Sequence, residues 1–143
     1  MQDYEFERWF RLLRFANHYG FGSLWWLDEE YLKQSYPGYD QNSQRQGHPG
    51  LSLRKGELKR LDDVIPMLIG SSRKRGPAFE VSDVVNEQPT YFRALRPLQV
   101  LPKDFLAKEG GEPALQRNVR KPKLNPAEKE KLKKFIFRWS HQI

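Results

Sequence analysis

Apolar residues recur at helical spacing near the start of the chain. Phe6, Trp9, Phe10, Leu13 and Ala16 form one stripe, which Leu12 and Phe15 widen, so Tyr4–Asn17 reads as an amphipathic helix. Glu7 stands four residues before Arg11, the favourable order for a surface pair, and Gly20 and Gly22 end the helix. Its apolar face is expected to dock on a core or on a second subunit. The pattern then changes to short apolar stretches broken by turns. Ser23–Leu27 has strand character, Tyr31–Gln46 reads as a polar loop with a turn at Pro37-Gly38, and Gly50–Arg54 alternates with period two. Val64–Ile69 is an apolar run whose Pro66 suits an edge strand or a bulge. A basic turn over Ser71–Pro77 leads to strands at Ala78–Val85, Thr90–Leu95 and Leu98–Leu101.

The last element is a second amphipathic helix. Gly110–Leu124 is a Gly/Pro/basic linker. Asn125 then stands where a cap is needed, Pro126 at the first helical position, and Glu128 where a capping box requires it. Leu132, Phe135, Ile136 and Trp139 share one face. Several short strands without long intervening helices predict a mainly β fold, a small barrel with a helix at each end. One domain is expected over 1–143, with an N-terminal helix over 1–19, a barrel over 22–101, a helix or linker over 102–124 and the final helix over 125–140.

Composition narrows the chemistry. The 143 residues contain no cysteine, which removes thiol nucleophiles, disulfides and thiolate metal sites. Three histidines, His18, His48 and His141, show no metal-ligand spacing, so no metal and no cofactor is expected. No apolar run approaches the ~20 residues of a membrane span, and the acidic first residues do not read as a secretory signal. A soluble, cytoplasmic protein is expected.

The net charge of +7 is uneven. Met1–Tyr31 carries −3, Arg54–Arg75 carries +4 and Arg117–Lys134 carries +6. Basic clusters favour polyanions, of which nucleic acid is the commonest; the bland alternative is a solvated charged surface. The candidate contacts are Arg73, Lys74 and Arg75 in the basic turn, Lys129 and Lys133 on the final helix, and Trp25 or Trp26 for base stacking.

The order of motifs resembles the MazF/PemK (CcdB-like) toxin family. Gly22-Ser23-Leu24-Trp25-Trp26-Leu27 resembles its first strand. Gln46-Gly47-His48-Pro49-Gly50-Leu51-Ser52-Leu53 resembles its strand opening on Gly-x-Arg-Pro. Val64 to Ser72 resembles its strand ending in Thr or Ser, Pro77-Ala78-Phe79-Glu80-Val81 its Pro-x-x-hydrophobic strand, and Thr90 to Val100 the strands before its last helix. The resemblance implies an SH3-like barrel, a homodimer, neutralisation by an acidic antitoxin peptide, and metal-independent cleavage of single-stranded RNA by 2′-hydroxyl attack on the adjacent phosphate. It also implies a site. His48 stands where the family has Arg, and imidazole is able to act as acid or base near neutral pH. Arg45 lies three residues upstream, and Ser71 or Ser72 takes the hydroxyl position. Activity through His48 is then expected to rise with its titration near an unperturbed pKa of ~6.5. The alternatives are a binding module that has lost catalysis and a gyrase-type protein poison.

Overall fold

The structure is a computed structural model that describes residues 20–35, 47–56, 58–60, 62–101 and 119–143. The expected N-terminal helix over 1–19, Arg45 and linker residues 102–118 lie outside the described residues. Six antiparallel strands follow one another: β1 (Leu24–Asp28), β2 (Gly47–Ser52), β3 (Ile65–Ser71), β4 (Ala78–Val81), β5 (Thr90–Arg93) and β6 (Leu98–Val100). A short helix α1 (Glu29–Ser35) follows β1, and α2 (Pro126–Arg138) closes the chain.

The strands pair in the order β1-β2-β3-β5-β4, with β6 on β3. β3 is thus shared. Its first residues, Ile65–Met67, meet β6, and its last, Gly70 and Ser71, meet β5, while Met67–Ile69 pair with β2. Pro66 therefore sits in a central strand, not at an edge. It is tolerated because it lies just beyond the β2 ladder, where its carbonyl accepts from the Leu53 amide at 2.8 Å. Among the described residues no ladder joins β1 to β4, so the sheet is open and not the closed barrel expected. The outer edge of β1 is met instead by the end of the linker. Leu24 N–H donates to the Pro122 carbonyl at 2.9 Å, and Ser23 bridges to Lys123.

Alternation along the strands builds a core on each face. Trp25, Leu27, Ile65, Met67 and Val100 point to one side, where α1 covers them with Tyr31 and Leu32. Leu24, Leu51, Leu68, Phe79, Val81 and Phe92 point to the other, where α2 covers them with Leu132. Each fully buried large side chain contributes about 1.5–3 kcal/mol. The loop expected over Tyr31–Gln46 begins instead as α1. Glu29 and Glu30 in its first turn and Lys33 in its last complement the helix dipole, and the apolar pair Tyr31-Leu32 anchors it.

The cap of α2 is as the sequence predicts. The Asn125 side chain accepts from Glu128 N–H at 2.8 Å, and the Glu128 carboxylate accepts from Asn125 N–H at 2.9 Å. Partial burial raises the Glu128 pKa, but the Asn125 N–H and the Lys121 ammonium at 2.8 Å outweigh it, and the net shift is downward. A lowered carboxylate pKa stabilises the fold above the group's ordinary value, and that contribution is lost as pH falls through the lowered value. Asn125→Ala is expected to cost about 1 kcal/mol at neutral pH. Glu128→Gln is expected to flatten the loss of stability on acidification. Thermal unfolding at neutral and acid pH checks both. No described helix is long and apolar enough to cross a membrane.

Candidate functional site

A polar row crosses one face of the sheet at the end where the first core stops. His48 on β2 is paired with Leu27 on β1. The β2–β3 ladder ends at Gly50 and Ile69, and beyond it the His48 ring reaches the carbonyl of Gly70, the residue before Ser71. Ser71 pairs with Tyr91 on β5, and Tyr91 with Glu80 on β4. Directly opposed residues share a face. The ladders thus set Ser71, Tyr91 and Glu80 side by side, and the Gly70 contact brings His48 to the same end of the sheet, although it stands 43 positions before Tyr91 in the chain.

His48 is held from two sides. Its Nδ1 lies 3.2 Å from the Gly70 carbonyl, and its Nε2 lies 3.7 Å from Glu29 Oε2 at the start of α1. Both side chains are nearly buried, 12% and 7% exposed. A carbonyl only accepts, so Nδ1 carries a hydrogen. Nε2 faces the Glu29 carboxylate. A Cβ on Gly70 would stand 2.6 Å from Thr90 Cγ2 and 2.8 Å from Phe92 Cε1, so only glycine lets β5 close over this end of β3. Gly47, next to His48, has the same role, since a Cβ would run into the Leu27 carbonyl.

The expected hydroxyls separate. Ser71 Oγ donates to the Arg73 carbonyl at 2.9 Å and receives the Arg73 amide at 3.4 Å, a local turn. Ser72 is exposed. Arg73, Lys74 and Arg75 are all exposed in the turn between β3 and β4, and the Arg75 carbonyl accepts from Arg93 Nε at 3.2 Å. The basic stretch Arg54–Arg75 therefore divides in two. Arg54 donates to the Val64 carbonyl at 2.8 Å and lies 3.7 Å from Asp63, and Arg60 lies 3.2 Å from Asp62. Asp63 also accepts the Lys59 and Arg60 amides, which, with those guanidinium groups, hold its carboxyl below the usual range. Charge in that part is locally matched. The Arg73–Arg75 turn is where exposed cations stand together.

Trp25 does not serve as a base-stacking surface. It is fully buried in the first core, because its place in β1 turns it toward Ile65 and Met67. Trp26 points the other way and is packed against the second core. Lys129 and Lys133 ride on α2, which covers the face opposite to His48. The Lys129 stem lies over Gly22, and Lys133 pairs with Glu130 at 3.0 Å. The site residues that sequence reasoning passed over are Glu29, Gly70, Tyr91 and Glu80. Period two places Tyr91 and Glu80 on the polar side of their strands, but only the register shows that they meet.

Among the described residues no group of three or more His, Asp or Glu stands together as a metal site. Comparison with protein families, curated proteins and solved structures finds no match to this chain.

Proposed function

We propose that the chain is a divergent MazF/PemK-like endoribonuclease that cleaves single-stranded RNA by 2′-hydroxyl attack. The observation that supports this best is the position of His48. Its Nδ1 is held by the Gly70 carbonyl and its Nε2 faces the Glu29 carboxylate, at the end of β3 that leads into the exposed cations of Arg73–Arg75. In this reading Nε2 takes the proton of the 2′-hydroxyl. The 2′-oxygen attacks phosphorus, the bond to the 5′-oxygen breaks, and the imidazolium returns the proton to that leaving oxygen. Products are a 2′,3′-cyclic phosphate and a 5′-hydroxyl. Arg73 and Arg75 hold the non-bridging oxygens, and Ser72 is the hydroxyl at the surface. The six short strands and the shared β3 support an SH3-like barrel left open between β1 and β4. A cytoplasmic homodimer that also takes an acidic antitoxin peptide belongs to the same proposal.

A second reading is a relative that binds RNA without cutting it. It is favoured by the Ser71 hydroxyl, which is engaged by Arg73, and by the near burial of His48. Incubation with mixed-sequence single-stranded RNA in EDTA, followed by end-group analysis, separates the two. Cyclic phosphate ends support the nuclease, and intact bound RNA supports the binding module. In either case affinity is expected to fall with salt. Single strands lose about 0.7 in log–log slope per neutralised phosphate, so three contacts from Arg73, Lys74 and Arg75 give a slope near −2. Arg73→Glu with Arg75→Glu should flatten it. A slope near zero in the unmutated protein overturns both readings.

A further inference from the structure

The pair formed by Tyr91 and Glu80 has no part in the chemistry assigned to His48, yet it lies in the same row as Ser71. Tyr91 is half-buried and Glu80 is exposed. The two are direct cross-strand partners, and the Tyr91 hydroxyl donates to the Glu80 carboxylate. Burial, together with that carboxylate, pushes the phenol pKa up, so the hydroxyl keeps its proton and its orientation. Two residues along β5, on the same face, Arg93 is anchored to the Arg75 carbonyl. The exposed Arg73, Lys74 and Arg75 stand in that same turn. An aromatic ring, a carboxylate bonded to its hydroxyl and exposed cations in the adjoining turn are the parts needed to hold one unpaired base and its flanking phosphates.

We infer that Tyr91 seats one unpaired RNA base by stacking, that Glu80 reads the amino edge of that base, and that the Arg73–Arg75 turn holds the adjacent backbone. This rests on the reading that the chain acts on single-stranded RNA, and it names the subsite that selects a nucleotide there. Stacking is tolerant, because every base has a π-face. The carboxylate is selective, because it only accepts hydrogen bonds. Guanine, adenine and cytosine each carry an exocyclic amino group toward it. Uracil offers one N–H between two carbonyl oxygens, which repel a carboxylate. The subsite therefore prefers amino-bearing bases and disfavours uracil.

The test is binding of the full chain to short 2′-fluoro oligonucleotides, which lack the attacking hydroxyl, in adenine, cytosine and uracil forms at one fixed salt. The unmutated protein is expected to bind the adenine and cytosine forms about tenfold more tightly than the uracil form. Glu80→Gln, at an exposed position, should bring the three together, since an amide donates as well as accepts. Tyr91→Ala should weaken all three about tenfold, whereas Tyr91→Phe should keep the stacking. Melting curves show whether each variant is folded. Equal affinities in the unmutated protein, or discrimination unchanged in Glu80→Gln, overturn the inference while leaving the RNA reading in place. Binding lost in Arg73→Glu with Arg75→Glu but unchanged in Tyr91→Ala does the same. No binding of any oligonucleotide by the unmutated protein overturns the RNA reading itself.

Discussion

His48→Ala is expected to slow RNA cleavage by roughly 10²–10⁴-fold, the range for loss of a positioned acid–base group, and to change RNA affinity little. The ring has a 3.2 Å contact to the Gly70 carbonyl and a carboxylate 3.7 Å from its other nitrogen, so the group that moves the proton is distinct from the cations that hold the phosphate. Glu29→Gln keeps the shape and removes the charge that faces Nε2. It should give a smaller loss. Cleavage and filter binding measured on the same preparations separate the two effects. Turnover unchanged in His48→Ala would remove His48 from the mechanism and leave it as a link between α1 and the sheet.

Trp25→Ala is expected to cost about 3–5 kcal/mol, the range for removing a large aromatic from a packed core. Trp25 is fully buried in the core that holds Leu27, Ile65 and Met67, so its loss leaves a cavity among them. Set against a typical total of about 5–15 kcal/mol, the variant should melt well below the unmutated protein or fail to fold. Trp26→Ala, at a half-buried site on the other face, should cost less. Chemical denaturation of the two variants compares the faces directly. Equal losses would mean that the alternation of β1 does not decide which indole carries the core.

Much of the placing of strands along the chain is legible in the sequence because each strand here is a short apolar run between turn residues. The capping box of α2 is legible because its residues are close together in the chain. The departures share one cause, which is that local pattern does not fix partners. Helix α1 spans seven residues, too few for a helical period to stand out from a polar loop. Composition favours an edge for Pro66 because it does not show where one ladder ends and another begins. Either tryptophan of β1 is able to face outward until the partner strands fix the buried side. The candidate site is half legible. His48 and the Arg73–Arg75 turn stand out as residue types in a pattern. Glu29, Tyr91 and Glu80 join them only through the register of separate ladders and the start of a helix. What covers the outer edge of β1 depends on where Pro122 and Lys123 come to rest, which no local pattern encodes.

The sharing of β3 has a consequence for how the chain comes apart. Ile65 and Met67 belong to one core and Leu68 to the other, and the same strand pairs with β2, β5 and β6. Neither half is able to detach while the other stays whole, because both lose the same strand. The described sheet is expected to open as one cooperative unit, with the amides of β3 the last to exchange with solvent. The β3–β5 and β3–β6 ladders pass over intervening strands, so folding is expected to wait on loop closure around that single strand.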